Sequence, residues 1–324
     1  MKSYILVAGG AGYIGSHMAK MLCQSGYDVI IVDNMSTGHG DAARYGIFVD
    51  GDIGNPLTIS SIFTNYKISA VIDFAAFSQV QESTQDPGKY YQNNICCTLG
   101  LLQEMRTNNV KVFIFSSTAA IYGEPKYNPI DEHHPQQPIN PYGHSKLIVE
   151  QILREYENSY GLRYISLRYF NAAGADPEGE LGERHSPETH LIPLLLQVAR
   201  GSRDHIDIYG NDYPTPDGTC VRDYVHVWDL CHAHLLALEY LMSGGKSDVL
   251  NLGNGQGYSV KEVIDATEHV TGRFIARHVK GRRAGDPAVL IADSKKARMK
   301  LGWEAKFGGL EVIIEHAWCA SCRT

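Results

Sequence analysis

Through the first half of the chain, short runs of β-branched and aliphatic residues alternate with longer stretches whose apolar positions follow a helical repeat. The short runs predict strands at 4–8, 29–33, 46–50, 70–73, 111–116 and 164–168. The longer stretches predict helices at 14–25, 56–66, 89–106 and 141–160. Strand–helix alternation needs crossover connections, which make the strands parallel and bury both faces of one sheet. Right-handed crossovers make that sheet doubly wound.

After Asn171 the pattern changes. Residues 172–187 are rich in Gly, Pro and acidic side chains and read as a loop. Helical pieces follow at 189–200, 228–242, 259–271 and 309–320, separated by short strands. The expected division is 1–170 for the sheet domain and 171–324 for a smaller α+β lobe. Segments around 227–255, including a strand at 249–252, are expected to return to the first sheet.

The 324 residues suffice for two ordinary domains with a real core. With 44% apolar and 20% charged residues, the chain is not disordered. Its charge, 29 − 36 = −7, argues against a nucleic-acid or anionic-membrane binder, which needs a basic face. No apolar run reaches the roughly 18 residues of a membrane span. Met1-Lys2-Ser3 leads straight into the first strand and leaves no room for a signal peptide. Seven cysteines, an odd number, then read as reduced thiols of a cytoplasmic protein. Cys319-x-x-Cys322 has metal-like spacing but no second pair, so no metal site is expected.

Gly9-Gly10-Ala11-Gly12-Tyr13-Ile14-Gly15 follows a predicted strand and opens a predicted helix, the context a dinucleotide fingerprint requires. Glycines let the backbone approach a pyrophosphate, and the helix N-terminus offers free N–H groups to an anion. Asp33 ends the second strand, where a carboxylate binds ribose hydroxyls and repels a 2′-phosphate. No Arg or Lys occurs over 34–41, so NAD is favoured over NADP. Asp52-Ile53 and Phe74-Ala75-Ala76 fall after the third and fourth strands, at the sheet edge where ligands bind. The fold class is therefore α/β: a doubly wound parallel Rossmann sheet with a smaller C-terminal α+β substrate lobe.

Tyr142 and Lys146 are four apart on the helix beginning at Pro141 and share a face. A phenol with a pKa near about 10 is a weak base at neutral pH, and a nearby ammonium and a nicotinamide cation both favour its phenolate. The fifth strand ends in Ser116-Ser117-Thr118, and Thr118 can bind the reacting oxygen and relay its proton.

These motifs resemble the extended short-chain dehydrogenase/reductases and, within them, the epimerases of UDP-glucose and UDP-galactose. The resemblance extends over essentially the whole chain. It is carried by the fingerprint continued to Ser16-His17, by Asp33-Asn34, by Phe115 to Gly123, and by Pro141 to Lys146. Arg168-Tyr169-Phe170-Asn171, Tyr209 to Thr215, Gly218 to Val227 and Arg282-Arg283-Ala284-Gly285-Asp286 continue it. It implies reversible NAD-dependent inversion at C4 of a UDP-hexose through a 4-keto sugar, with Tyr142, Lys146 and Thr118 catalytic. It places Asn34, Asn93, Ser116 and Tyr169 at the cofactor, and Thr118, Asn171, Leu191, Tyr209, Arg222, Arg283 and Asp286 at the UDP-sugar. Two arginines suit a diphosphate, and Asp286 suits ribose hydroxyls. The resemblance also implies a homodimer packed through 89–106 and 141–160.

Two positions depart from the family pattern. Ser78 stands where some relatives carry a lysine, and Thr189-His190 replaces a paired asparagine, leaving His190 as a phosphate or ribose ligand. Leu290 falls where a tyrosine accompanies restriction to UDP-glucose and UDP-galactose. A leucine implies room for the N-acetyl group of UDP-GlcNAc and UDP-GalNAc, provided that Val289 or Ile291 does not face the sugar instead. A 4,6-dehydratase, the nearest rival, needs an acidic pair after the active-site Ser/Thr, where this chain has Ala119-Ala120. A cofactor-sensing module, the rival of another class, does not need Tyr142, Lys146 and Thr118 together.

Overall fold

The structure, a computed structural model, describes residues 2–283 and 285–323. The first half supplies strands β1 (Tyr4–Ala8), β2 (Asp28–Asp33), β3 (Ile47–Asp50), β4 (Ile68–Asp73), β5 (Val112–Thr118) and β6 (Arg163–Tyr169). Its helices are α1 (Tyr13–Gln24), α2 (Pro56–Asn65), α3 (Val80–Gln85), α4 (Pro87–Tyr91), α5 (Thr98–Thr107) and α6 (Pro141–Tyr160). The second half adds strands β7 (Asn171–Ala173), β8 (Ile206–Tyr209), β9 (Val221–His226), β10 (Asp248–Leu252), β11 (Gly257–Ser259), β12 (Arg277–Lys280) and β13 (Val289–Leu290). Its helices are α7 (Leu191–Ala199), α8 (Val227–Met242), α9 (Val260–Thr271), α10 (Lys295–Leu301) and α11 (Leu310–Ser321).

Seven parallel strands form one sheet in the order β10-β6-β5-β4-β1-β2-β3. Strand alternation explains its two cores. Ile5 and Val7 of β1, Val29 and Ile31 of β2, and Val112 and Ile114 of β5 pack with α1 and α8. The intervening Leu6, Ile30, Val32, Phe113 and Phe115 pack with α2, α5 and α6. Each such side chain, fully buried, contributes about 1.5–3 kcal/mol. The strand order reverses direction between β1 and β4, and this opens a crevice beyond Ala8 and Asp73, which are register partners.

The C-terminal part has its own small sheet, β11-β9-β13 with β7 also on β9, and a separate pair of β8 with β12. Helices α7, α9 and α11 close a third core around Ile192, Leu195, Tyr224, Ile264 and Ile313. Strand β10 pairs with β6 and α8 packs on the large sheet.

One element differs clearly from its expectation. The helix expected over 89–106 is broken into α4, a π-helical turn at Gln92–Cys97, and α5. The wider turn lies where the buried Asn94 side chain accepts from Phe77 N–H (2.9 Å) and donates to Phe77 C=O (3.0 Å) and Ser145 Oγ (3.1 Å). Such bulges occur where tertiary bonds outweigh regular helix geometry. Helices α3 and α10 are additions to the expected set.

Candidate active site

The crevice floor is the fingerprint loop. Gly9 has φ +73°, and a Cβ there would lie 2.7–2.9 Å from the Phe74-Ala75 backbone. A Cβ on Gly15 would lie 2.2 Å from Gly9 C=O. Only glycine permits this approach of β1, β4 and α1. Gly12 caps α1 with no side-chain bond and no acidic residue follows in the first turn, so the N–H groups at Tyr13 and Ile14 face the crevice uncapped. That arrangement fits a pyrophosphate.

Asp33, 9% exposed at the end of β2, accepts from Ala11 N–H and Met35 N–H, each at 2.9 Å. A carboxylate has lone pairs left for two ribose hydroxyls. Asn34 donates to Asp52 (2.8 Å), joining the ends of β2 and β3, while Ile53 is buried in the second core. Phe74, Ala75 and Ala76 line the loop after β4, with the Phe74 ring against the buried His234 at 4.8 Å. The features expected of an NAD site are present in this chain's own groups.

The reacting corner lies at the end of β5. Helix α6 begins where Pro141 occupies the first turn and Asn140 caps it by accepting from Gly143 N–H at 2.8 Å. This start aims Tyr142 and Lys146 at the strand end. Thr118, the last residue of β5, accepts from Ala120 N–H through Oγ1 at 3.1 Å. Lys146, 3% exposed, donates to Ser116 C=O at 2.8 Å, its ammonium 4.8 Å from the Phe115 ring centre. Ser116 Oγ is hydrogen-bonded to the Tyr169 hydroxyl. Asn93 lies in the π-helical turn and donates to Asn94 (3.0 Å).

Burial raises the Tyr142 pKa, and the Thr118 hydrogen bond offsets only part of it. Burial also lowers Lys146 to about 8, against the opposing charges of Asp73 and Glu150. The expected activation of the phenol by the ammonium is therefore weak in the protein alone: Tyr142 stays protonated at neutral pH.

A sealed network supports this corner. Ser117 Oγ donates to Glu150 (2.5 Å), Glu150 pairs with Arg168 through two bonds of 2.9 and 2.5 Å, and Arg168 donates to the Tyr122 hydroxyl (2.9 Å). Arg168 and Glu150 are 0% and 1% exposed. Sequence reading missed Glu150, Asn94 and the buried Asp73, because no local spacing marks them.

The C-terminal part brings most of the remaining predicted residues together. The Arg283 guanidinium stacks 3.8 Å from the centre of the Tyr209 ring, and Arg222 forms an ion pair with Asp286. Asn171 donates to Asp223 C=O (3.0 Å), and Leu191 opens α7. Asp223 itself, missed by sequence reading, accepts from Asn254, Gly255 and Ala292 N–H groups at 2.8–3.1 Å. Leu290 packs against the buried cluster of Ile121, Tyr122 and Ile130, as Ala119 and Phe170 also do, whereas Ile291 points toward Gly257. The His190 ring is committed elsewhere: its Nδ1 lies 2.9 Å from both Glu183 and Glu188.

A family model described as GDP-mannose 4,6 dehydratase matches residues 6–316. The UDP-glucose 4-epimerase of Halalkalibacterium halodurans is 52% identical over 314 residues, 97% of this chain and 94% of that protein. The crystal structure of UDP-glucose 4-epimerase from Brucella ovis in complex with NAD is 49% identical with a TM-score of 0.96, covering 98% of each chain. The UDP-Glc/GlcNAc 4-epimerase of Campylobacter jejuni is 41% identical with a TM-score of 0.87 over the full length of both chains. The dehydratase model reflects shared architecture, and Ala119-Ala120 lack the acid–base groups a dehydration needs. The chain belongs to the UDP-glucose 4-epimerase family of the extended short-chain dehydrogenase/reductases.

Proposed function

We propose that Tyr142, Thr118 and Lys146 carry proton transfer in a reversible C4 epimerisation, and the observation that supports these roles best is the start of α6, which sets Tyr142 and Lys146 one turn apart beside the end of β5, where Lys146 donates to Ser116 C=O at 2.8 Å. The chain is an NAD-dependent isomerase that interconverts UDP-glucose and UDP-galactose. NAD, when bound, supplies the hydride acceptor and donor at C4 and the positive charge that the phenol lacks in the protein alone. Tyr142 takes the proton of the 4-hydroxyl through Thr118 and returns it when the hydride comes back on the other face of the 4-keto sugar. Lys146 holds the end of β5 through Ser116 and keeps a cation beside the phenol.

Residues 1–170, with the returning 227–255 segments, hold the cofactor, and 171–324 mainly hold the UDP-sugar. Tyr209, Arg222, Arg283, Asp286, Asn171 and Leu191 grip the nucleotide. Arg222 and Asp286 exchange their mutual pairing for phosphate and ribose. Binding energy from this remote arm positions either epimer. The packing of Leu290 against Ile121 and Tyr122, on the segment that follows Thr118, supports a second reading, turnover of UDP-GlcNAc and UDP-GalNAc.

The protein acts as a homodimer through α4, α5 and α6, where Tyr91 and Leu99 are exposed, 37% and 40%. Seven unpaired cysteines support a cytoplasmic location, and no described helix is long and apolar enough to cross a membrane.

The test is incubation of purified protein with separate UDP-sugars and no added cofactor, followed by separation of the epimers. Interconversion of UDP-galactose and UDP-glucose is expected. N-acetylated sugars should also be converted, and Leu290→Tyr should suppress that activity selectively. Absence of N-acetyl turnover in the wild type would remove the second reading.

A further inference from the structure

The segment following β7 runs along α1 and carries two clusters of charged side chains. The first ties the segment to α1: the buried Lys20 ammonium reaches Asp176 (2.7 Å), Glu178 (2.5 Å) and Glu180 (3.0 Å). That acidic cluster already holds its cation. The second cluster is chemically different. One donor atom each from Glu183, His185, Glu188 and His190 lie within 4.8 Å of one another.

The two carboxylate side chains are only 6% and 5% exposed. His190 Nδ1 lies 2.9 Å from an oxygen of each, His185 Nδ1 lies 3.1 Å from Glu183, and the two rings are 5.0 Å apart. Two imidazole nitrogens and two carboxylate oxygens form the mixed four-donor set that suits zinc, whereas calcium and magnesium favour oxygen alone. The charge also balances, because two neutral imidazoles and two carboxylates match one divalent cation. The single His190 Nδ1 proton is what these carboxylates share in the metal-free arrangement. A cation takes the place of that proton and engages His185 as well.

Supporting contacts hold the donors in place. Glu188 also accepts from Thr189 N–H (2.7 Å) and His190 N–H (2.8 Å). Arg184, between two of the donors, pairs with Asp41 through bonds of 2.9 and 2.8 Å, and its carbonyl lies 2.7 Å from His39 Nε2. The His185 ring stands edge-on to Tyr13 of the fingerprint, with centres 6.4 Å apart. Outer contacts of this kind orient metal ligands.

We propose that Glu183, His185, Glu188 and His190 bind one zinc ion that clasps the segment between the fingerprint helix α1 and the substrate helix α7. The ion is structural. Four protein donors complete its coordination, so it takes no part in moving the proton or hydride. His190 immediately precedes Leu191, the first residue of α7, so the clasp fixes one wall of the nucleotide grip.

The test uses the full-length protein with its cofactor, purified without a metal-affinity step, stripped with a chelator and titrated with zinc against a chromophoric competitor. About one zinc per chain is expected, with a higher Tm than the stripped protein. His185→Gln and His190→Gln should each weaken zinc binding by at least about tenfold while circular dichroism stays native. The Cys319→Ser/Cys322→Ser variant should bind as the wild type does. Cobalt in place of zinc should give the visible absorption of a tetrahedral site, lost in His185→Gln. Zinc binding no tighter in the wild type than in His185→Gln, or lost in the cysteine variant, would overturn the proposal. The cluster would then be an imidazolium bridge between two carboxylates.

Discussion

The reacting corner and the proposed nucleotide grip are built differently. The corner is sealed, with Arg168 and Glu150 paired at 0% and 1% exposure behind Ser117 and Thr118. The grip is less closed, with Arg222 and Asp286 paired at 12% and 26% exposure and the exposed pair of Arg282 and Asp212 near them in sequence. A fixed hydrogen-bonded frame suits proton transfer, where a small displacement lowers the rate steeply. Partly exposed ion pairs that can exchange partners suit a surface that must take up a diphosphate and release it. The comparison teaches that the two sides should respond to substitution in different quantities: rate and stability at the corner, substrate affinity at the grip.

The largest effect should follow Tyr142→Phe, which keeps the ring but removes the proton acceptor. A loss of about 10²–10⁴ in kcat is expected, with bound cofactor and Tm unchanged. Steady-state kinetics and cofactor absorbance check this, and near-normal turnover would remove Tyr142 from the mechanism.

Next comes stability. Glu150→Gln leaves the buried Arg168 without its counter-charge and should destabilise the fold by about 3–5 kcal/mol in urea unfolding. Arg282→Ala breaks an exposed pair and should cost below about 1 kcal/mol. Equal losses would erase the distinction between sealed and open regions.

At the grip, Arg283→Ala should raise KM for UDP-galactose by about tenfold to a hundredfold, the worth of a charge-assisted bond, and change kcat far less. A loss confined to kcat would place Arg283 on the corner's side of the comparison.

The smallest effect concerns pH. Burial lowers His17 and His234 to about 4 and His226 to about 3. Each binds a proton when unfolded below about pH 6.5 but stays neutral when folded. Their contribution is therefore full above that pH and is lost as pH falls toward 4. Each adds up to about 1.4 kcal/mol per pH unit to the slope of unfolding free energy over that window. His17→Gln should flatten the slope between pH 6.5 and 4 relative to wild type, and an unchanged slope would contradict this.

Legibility in the sequence follows the same divide. Helix α6 is readable to the residue because Asn140, Pro141 and the left-handed Gly161 mark its ends locally. The sheet strands are readable because burial on both faces leaves uninterrupted apolar runs. Tyr142, Lys146 and Thr118 follow from spacing within two neighbouring elements. Asn94 is not readable, since the reason for its π-helical turn lies in Phe77 and Ser145. Asp223 and Glu150 escape for the same reason: their partners come from remote segments. In the C-terminal part, strands as short as β13, two residues long, carry no periodicity at all. There the grip residues came from whole-family motifs, and the spacing of Glu183, His185, Glu188 and His190 along a loop passed unread.

The most direct test of the account follows the hydrogen at C4. UDP-galactose carrying deuterium at C4 is incubated in ordinary water with the purified protein and no added cofactor, and the UDP-glucose formed is analysed by mass spectrometry. The account predicts full retention of deuterium at C4 of the product, because the hydride leaves and returns within one closed site. Loss of the label to water would contradict it.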